Sequence, residues 1–526
     1  MTEETTRPRV RTARPLPPRR RMPEPAPHGP EHGSAPDSDA PLSDRIQRRN
    51  SRVIALLLVA AFVVILNETI MGVALPELMV DLRVDARAVQ WLSTAFMLTM
   101  AVVIPITGFL IQRYSTRSLF IAAMSFFSVG TLTAALAPGF DVLLVARVIQ
   151  ACGTAIMFPL LMTTIMTLVP VLRRGKVMGN VSVVISVAPA IGPTISGLIL
   201  STLSWRWMFW VVLPIALVMF LVGLKWVENV TEPRRAPLDV PSVILSAFGF
   251  AGLVYGLSNI GAGADAGASA AAQRAASMPM WIALVVGVVA LAAFIIRQKR
   301  LERSDRPLLD LRTFKSGTFT MSIAMMVVSM MAFFGTIILL PIYLQRVLHL
   351  EPLMIGLLLL PGGLLMGALA PLVGRLYDRF NAVVLLVPGT VILAGVLWWL
   401  TFVTEHTSPF LLLAAHLTLS VGLALLFTPL FTAALGSVQP RFYSHGSAIV
   451  GTVQQVAGAA GTALFVTVMA AQAAALTSHG ATDAAALAGG MRAAFFGGAI
   501  LATASIVTAF FIRKPADAPD GPPPMH

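Results

Sequence analysis

Long apolar stretches separated by short polar loops occupy most of the chain from residue 51 onward. Fourteen of them are about 20 residues long, enough to cross a hydrocarbon layer of roughly 30 Å as an α-helix. Their centres lie near residues 64, 100, 128, 155, 188, 216, 250, 288, 330, 364, 392, 422, 460 and 502. The pattern predicts an all-α membrane protein with fourteen spans. An even number of spans places both termini on the same side.

The first apolar stretch resembles a signal peptide, because Arg48, Arg49 and Arg52 precede the uncharged run from Val53 to Leu66. The apolar character resumes beyond residue 68, however, and no Ala-x-Ala-like cleavage site follows. We therefore interpret the stretch as a first span that is retained.

Basic residues are divided unequally between the two sets of loops. The loops on the side of the N-terminus carry 20 Lys and Arg, whereas those on the other side carry six. Positively charged loops stay in the cytoplasm, so we predict cytoplasmic termini and a multi-pass protein of the inner, cytoplasmic membrane. Tryptophans fall mainly toward the outer ends of the spans, as in an aromatic belt.

Composition excludes several classes of protein. The chain is 56% hydrophobic and 12% charged, whereas soluble domains are about 25% charged. The net charge of +13 is spread between apolar stretches, so it does not indicate nucleic-acid binding. Cys152 is the single cysteine, which rules out a disulfide framework. No P-loop, zinc motif or nucleophile constellation is visible, so we expect no enzyme activity, no cofactor and no metal site.

A weak internal repeat suggests two similar halves. The segments Gly108–Arg113 and Gly374–Arg379 share the spelling Gly-x-Leu-x-x-Arg on the same predicted side of the membrane. Two extra spans then lie between two six-span halves. A Pro/Arg-rich tail precedes the first half, and a short polar tail follows the second. The predicted boundaries are 1–50 (disordered tail), 51–229 (N-terminal half), 230–298 (extra spans 7 and 8), 299–318 (cytoplasmic linker), 319–514 (C-terminal half) and 515–526 (disordered tail).

Glu68 is an acid within the apolar first span. A charge at this depth costs at least about 2.5 kcal/mol, so an acid in a span is by default a functional candidate. Counting residues from the span ends places Arg147 of span 4 at a similar depth. The two groups are expected to face one polar interior, either directly paired or linked through water. Glu68 is thus the predicted protonation site of a secondary transporter; the alternative is a permanent structural ion pair.

Five motifs occur in an order typical of one transporter group. Residues 66–76 read Leu-Asn-Glu-Thr-Ile-Met-Gly-Val-Ala-Leu-Pro, and residues 108–113 read Gly-Phe-Leu-Ile-Gln-Arg. Residues 147–153 read Arg-Val-Ile-Gln-Ala-Cys-Gly, and residues 188–197 contain Gly-Pro-x-x-x-Gly. Residues 205–209 read Trp-Arg-Trp-Met-Phe. In these motifs the chain resembles the fourteen-span drug:proton antiporters of the major facilitator superfamily, the group typified by EmrB and QacA, and most closely its lincomycin-resistance branch.

The resemblance implies roles for several residues. Pro189, Gly192, Pro193 and Gly197 match the antiporter motif, which we expect to act as a packed hinge between the halves. The loop residues Gly108, Arg113, Gly374, Asp378 and Arg379 match the cytoplasmic gate signature in its two copies.

Two positions depart from the pattern of the group. The usual acid of span 1 is replaced by Asn67, so the carboxylate has moved one residue along, to Glu68. The usual acid of the first gate loop is replaced by Gln112, which predicts a weaker link there.

These observations together predict a proton-coupled antiporter that exports bulky, partly apolar compounds by rocking of the two halves around a central cavity. It would act as a monomer in the lipid bilayer, on protons and a small-molecule substrate, without nucleic acid. The alternatives are an exporter of one endogenous metabolite or lipid, an uptake carrier, and a non-transporting receptor or scaffold. His416 is interpreted either as a titrating group or as a structural hydrogen-bonding residue. The residues predicted to line the cavity are Asn67, Thr69, Met71, Gln150, Met157, Thr194, Phe334, His416 and Gln454.

Overall fold

The computed structural model describes residues 40–229, 238–260 and 270–512. Within these ranges the chain is helical, without β-strands, and fourteen helices are long and apolar enough to span a membrane. They are α1 (Ala40–Asp81), α2 (Ala86–Arg113), α3 (Thr116–Ala135), α4 (Phe140–Leu168), α5 (Arg174–Thr202), α6 (Arg206–Trp226), α7 (Val240–Ser258), α8 (Ala270–Leu301), α9 (Gly317–Arg346), α10 (Pro352–Arg379), α11 (Ala382–Leu400), α12 (Pro409–Gly436), α13 (Tyr443–Ser478) and α14 (Asp483–Ala509). The predicted all-α fold with fourteen spans is confirmed.

Helix α1 begins at Ala40, earlier than the boundary predicted at residue 51. The reason is local, because residues 42–50 contain neither glycine nor proline and Pro41 occupies the first turn, where proline is tolerated. The linker before α9 contains two short 3-10 turns, Glu302–Ser304 and Leu311–Lys315. Residues 1–39 of the predicted tail 1–50, and the whole predicted tail 515–526, lie outside the described residues.

The helices before and after the α7–α8 hairpin pack in corresponding ways. In the first set α3 packs on α4 and α6. In the second set α11 packs on α12 and α14, which are the equivalent neighbours eight helices further along. The two sets, α1–α6 and α9–α14, meet along two seams, one between α5 and α10 and the other between α2 and α13.

Successive helices alternate in direction, so the loops fall at two ends of the bundle. We call the end that holds the α2–α3, α4–α5, α10–α11 and α12–α13 loops the basic end, because its loops hold most of the Lys and Arg. The other end is called the opposite end. Helix α7 packs against both α2 and α13, whereas α8 packs on α7.

Polar contacts fix the α7–α8 hairpin to the linker at the basic end. Arg297 binds Asp239 through two nitrogens, each 2.7 Å from a carboxylate oxygen. These hydrogen bonds lower the pKa of Asp239 to about 2, so it is ionised at neutral pH. The buried Gln298 accepts the backbone N–H groups of Leu308 and Leu309 at 2.8 and 3.3 Å. The linker is therefore anchored to the end of α8.

The Trp-Arg-Trp motif ties three helices together at the opposite end. The fully buried Trp205 donates its Nε1–H to Asp81, at the end of α1, over 2.7 Å. Arg206 lies 3.2 Å from the same carboxylate and donates to the carbonyl of Ala137, after α3, at 3.1 Å. The motif fixes the end of α1 relative to α3 and α6, so its role here is structural.

We expect Trp205→Phe to lower the free energy of unfolding by about 1.5 kcal/mol, the lower end for a hydrogen bond to a charged group. The value is low because half of the Asp81 side chain is exposed. Thermal unfolding in detergent, followed by circular dichroism, measures the change. Trp207→Phe is the matched control, since Trp207 is exposed; equal effects of the two variants would contradict the assignment.

Candidate functional site

Glu68 lies on the side of α1 that faces away from its exposed apolar side chains. Val59, Val73 and Val80 are 45%, 38% and 80% exposed. They are nine, five and twelve residues from Glu68, so at about 100° per residue they point roughly 120° to 180° away from it. Glu68 itself is only partly exposed. Its carboxylate thus lies on the inward face of a helix whose outer face suits lipid.

Space opens beside Glu68 toward the opposite end. Gly72 lies one turn further along α1, about 40° round from Glu68. It is exposed, and a Cβ at this position would meet no atom within 4 Å. The acid therefore borders an open space on the side of the opposite end.

Arg147 is held in a buried network between α2, α3 and α4. Its guanidinium lies 4.1 Å from the centre of the Phe96 ring, in a cation–π contact. Its Nη1 donates to Gln150 Oε1 at 2.9 Å, and Gln150 Nε2 donates to Thr131 at 2.8 Å. Arg147 is 1% exposed. Aromatic and amide groups therefore make the direct contacts with this buried cation, and Glu68 lies within electrostatic range of it.

Glu68 and Arg147 do not form a direct ion pair. Among the described residues, no carboxylate oxygen lies within 4.0 Å of an Arg147 nitrogen. Helix α4 begins at Phe140, so Arg147 is about 10 Å below its start, whereas Glu68 is about 20 Å below the end of α1. The arginine side chain reaches toward Gln150, roughly one turn closer to the level of Glu68. Of the two predicted arrangements, direct pairing is absent in this conformation.

Four of the nine residues predicted to line the cavity contribute almost no exposed surface. Asn67, Met71, Gln150 and Met157 are at most 1% exposed. The neighbouring helices of the first half cover them, which residue spacing along one helix does not reveal. Asn67 is unusual because both polar atoms of its amide are buried without a hydrogen-bond partner.

The antiporter motif in α5 packs on α1 and on α10. A Cβ at Gly192 would lie 3.0 Å from Thr69 Cβ, so the glycine permits close approach of α1. Ala190 and Val187 pack against Gly363 and Gly367 of α10 in the other half. Pro189 and Pro193 lie inside the continuous helix α5, whereas a Cβ at Gly197 would meet nothing within 4 Å.

Side chains from both halves meet below the level of Glu68 and form a floor. Thr163 of α4 lies 3.1 Å from Ser447 of α13. Thr428 of α12 donates to Ser182 of α5 at 2.7 Å. Between them Phe158 of α4 contacts Phe431 of α12, with ring centres 6.1 Å apart. The central space is therefore closed toward the basic end.

A row of four phenylalanine rings extends from this floor along α12 and α9 of the second half. Phe431 contacts Phe427 at 6.2 Å, and Phe427 contacts Phe333 at 5.9 Å. Phe333 in turn contacts Phe334 at 5.4 Å. The upper two rings are partly exposed, so they offer an apolar surface above the floor.

The remaining predicted cavity residues are partly exposed. Gln454 has no polar contact in the described part of the chain and lies one turn before Gly458, which contacts the Phe334 ring. His416 binds the backbone carbonyl of Leu359 through Nε2 at 3.1 Å. This contact agrees with the structural alternative for the histidine. Thr194 keeps a buried hydroxyl without a partner.

The predicted gate loops meet the other half at the basic end. Asp378 accepts the backbone N–H groups of Gly175 and Lys176, at the start of α5, at 2.7 and 2.8 Å. A carboxylate at a helix N-terminus is favoured by the helix dipole. Gly374 and Gly175 pack backbone to backbone, because a Cβ on either would collide with the other.

The second contact at the basic end joins α2 to α13. Gly108 allows close packing, since a Cβ there would lie 3.2 Å from Ala448 Cβ. Gln112 reaches Ser444 and His445. Arg113 and Arg379 lie over the rings of Tyr114 and Phe380, the next residues along the chain.

Sequence reasoning missed the residues that join the halves. Ser182, Thr428, Ser447 and the ring pair of Phe158 and Phe431 gave no signal, because serine, threonine and phenylalanine are ordinary in membrane helices. Only the register between helices far apart in sequence brings them together. Within the described residues no group of three His, Cys, Asp or Glu could hold a metal ion.

Comparison with known proteins identifies this arrangement. A model of the Major Facilitator Superfamily matches residues 57–462. The chain belongs to the major facilitator superfamily. Lincomycin resistance protein LmrB of Listeria monocytogenes is 38% identical over 467 residues, covering 88% of this chain and 96% of that protein. LmrB of Bacillus subtilis is 39% identical over 464 residues, covering 87% and 95%. The family predicted from the motifs is confirmed, and the chain is a transporter rather than an enzyme.

Solved structures agree on the major facilitator fold. The human organic anion transporter MFSD10 superposes with a TM-score of 0.62 at 15% identity, covering 88% of this chain and 99% of that one. The proton:xylose symporter XylE gives a TM-score of 0.56 at 15% identity, covering 88% and 96%. At this identity the likeness concerns the fold alone.

Proposed function

We propose that this major facilitator protein is a proton-coupled antiporter that exports bulky, partly apolar compounds. The observation that carries the proposal is the position of Glu68. It is an acid on the inward face of α1, next to open space at the opposite end, while contacts between the halves close the basic end. We infer that in this conformation protons reach Glu68 from the opposite end, as alternating access requires.

The positive-inside rule orients this conformation. With the basic end in the cytoplasm, the open space faces outward, so Glu68 takes up a proton from outside. Neutralising the acid removes the cost of carrying a charge past the apolar floor when the halves rock. Arg147, fixed by Phe96 and Gln150, provides a positive potential that favours release of the proton on the inner side.

The energy is sufficient for efflux. One proton crossing 100 mV releases about 2.3 kcal/mol, and one pH unit adds about 1.4 kcal/mol. Together they allow a concentration gradient of roughly five-hundredfold per proton. No cofactor is needed, and we propose that a monomer in the cytoplasmic membrane performs the cycle.

The substrate class follows from the cavity and from the relatives. Phe333 and Phe334 supply apolar contact, while Gln454 supplies an uncommitted amide. The LmrB relatives are named for lincomycin resistance, and a Mycobacterium tuberculosis relative with 27% identity is named a multidrug resistance protein B homologue. We therefore propose drug efflux, with lincomycin as the first compound to test.

The experiment uses the full chain in proteoliposomes. A pH gradient, acidic on the side of the opposite end, is expected to drive accumulation of radiolabelled lincomycin or ethidium from the side of the basic end. Collapse of the gradient with an ionophore should abolish accumulation but preserve counterflow. Counterflow without any response to the gradient would remove proton coupling. Counterflow of a metabolite or lipid alone would point to an endogenous substrate, and no flux of any compound would point to a receptor.

Gly458 is expected to set the width of the cavity beside Phe334. A Cβ on Gly458 would lie 3.1 Å from two atoms of the Phe334 ring, which would push the ring into the open space. Overpacking of this kind costs roughly 1 kcal/mol. Gly458→Ala should therefore raise the concentration of a bulky compound that half-saturates counterflow by about fivefold. Gly497→Ala is the control, since a Cβ there meets nothing within 4 Å. Equal half-saturation in the two variants would place the substrate elsewhere.

A further inference from the structure

The two gate contacts at the basic end differ in chemistry. Between α5 and α10 the contact is a pair of charge-assisted hydrogen bonds, because the Asp378 carboxylate accepts two backbone N–H groups. Between α2 and α13 the corresponding acid is Gln112, and its amide faces the imidazole of His445. The second gate therefore depends on a neutral amide and a group that can take up a proton.

Neighbouring groups fix the direction of this hydrogen bond. Gln112 Nε2 lies 3.4 Å from the backbone carbonyl oxygen of Arg441, which can only accept. The amide nitrogen therefore points to this cluster, with Ser444 Oγ at 3.1 Å and His445 Nε2 at 2.9 Å. Because an amide N–H₂ group only donates, Nε2 must be the acceptor. The closed gate thus requires an imidazole without a proton on Nε2.

The surroundings of His445 offer little compensation for a positive charge. The residue is 4% exposed. The linker places the backbone of Leu308 and the side chains of Asp310 and Arg312 near the ring. The Leu308 backbone favours a protonated ring, but it is uncharged, and Arg312 already binds Asp310 through contacts of 2.7 to 3.1 Å. Asp305 binds the same arginine at 2.6 Å. Two further charged groups at this point are cations, Arg441 beside Phe442 and Arg174 bonded to Tyr443.

We propose that His445 is a second proton-binding site, separate from Glu68, and that a proton bound there opens the α2–α13 gate at the basic end. A proton on Nε2 replaces an acceptor by a donor facing the Gln112 amide, and it puts a charge in a buried position. Opening exposes the ring to water, where histidine takes up a proton near pH 6.5. Stability of the closed gate is therefore complete above this pH and falls as the pH decreases. The site responds to acidification of the cytoplasm, the side on which imported protons are released.

The experiment measures the gate distance directly in nanodiscs, where both faces meet the same pH. Spin labels at Tyr114 and Gln439, in a background with Cys152→Ala, report the separation of α2 and α13 at the basic end. Lowering the pH from 8 to 5.5 should shift the distribution toward longer distances. A single proton allows at most about a tenfold change in the open-to-closed ratio per pH unit.

Two variants of the gate give opposite expectations. His445→Gln keeps an acceptor for Gln112 but does not titrate, so its distances should not respond to pH. Gln112→Glu offers a carboxylate to a protonated imidazole, so acid should close this gate instead of opening it. A pH response that persists unchanged in His445→Gln, or one of unchanged sign in Gln112→Glu, would overturn the proposal.

The proposal rests on alternating access but not on Glu68 as the coupling acid. Glu68→Gln should therefore keep the pH response of the spin-label distances while losing gradient-driven accumulation. Loss of the distance response in Glu68→Gln, with its retention in His445→Gln, would assign the effect to Glu68 and refute the second site.

Discussion

Glu68→Gln is expected to reduce accumulation driven by a pH gradient from roughly five-hundredfold to none, while counterflow continues. Glutamine has nearly the shape of glutamate and can form hydrogen bonds, but it does not exchange a proton. The rocking of the halves around a neutral side chain remains possible, so exchange of labelled for unlabelled compound should persist. Accumulation and counterflow in the same proteoliposomes separate the two effects.

Two matched variants sharpen this result. Glu77→Gln removes an exposed acid from the same helix and should leave accumulation unchanged. The double variant Asn67→Asp, Glu68→Gln moves the acid to residue 67, the position usual for the group. Because residue 67 is fully buried and about 100° round the helix from residue 68, this double variant should remain uncoupled. Restored accumulation would show that proton coupling does not require an acid on the partly exposed face of α1.

Gly175→Ala and Asp378→Asn are expected to open the α5–α10 contact at the basic end. A Cβ at residue 175 would lie 2.5 Å from Asp378 Oδ1 and would also collide with the backbone of Gly374. Relief requires separation of the two helices, since a backbone carbonyl cannot rotate away. In Asp378→Asn the loss of charge weakens two hydrogen bonds, each worth about 1.5 to 3 kcal/mol with an ionised acceptor. We expect the open-to-closed ratio to rise by at least about tenfold.

Spin labels at Leu172 and Phe380, with Cys152→Ala, measure this opening in nanodiscs. Both positions are exposed at the basic end, on either side of the seam. Gly356→Ala is the control, because it also lies in α10 and a Cβ there meets nothing within 4 Å. If both gate variants give the distances of the control, the contact between Gly175 and Asp378 does not hold this end closed.

Much of the fold follows from the sequence, because a span must be long and apolar to lie in lipid. Hydropathy alone therefore located all fourteen helices. The start of α1 was placed too late, since proline and arginine suggested a tail while residues 42–50 have no helix breaker. The acid at Glu68 was also readable, because a charge is costly anywhere in such a run.

The relation between Glu68 and Arg147 was harder to predict. Depth was counted from the span ends, which placed Glu68 close to the opposite end, but α1 continues to Asp81, so Glu68 lies about 20 Å below the end of its helix whereas Arg147 lies about 10 Å below the start of α4. The preferred partners of the arginine, Phe96 and Gln150, are neutral and were not expected. The contacts between halves were not predictable either. They join residues such as Gly175 and Asp378, about two hundred positions apart, in only one state of the cycle.

The position of α7 makes the two lateral sides of this transporter unequal. On one side α7 packs against both halves, where Ala101, Val254 and Ala459 form a buried cluster with larger apolar side chains packed around it. On the other side α5 and α10 present the exposed leucines Leu198 and Leu372. An apolar compound dissolved in the bilayer therefore meets the α7–α8 hairpin on one flank and the exposed side chains of α5 and α10 on the other.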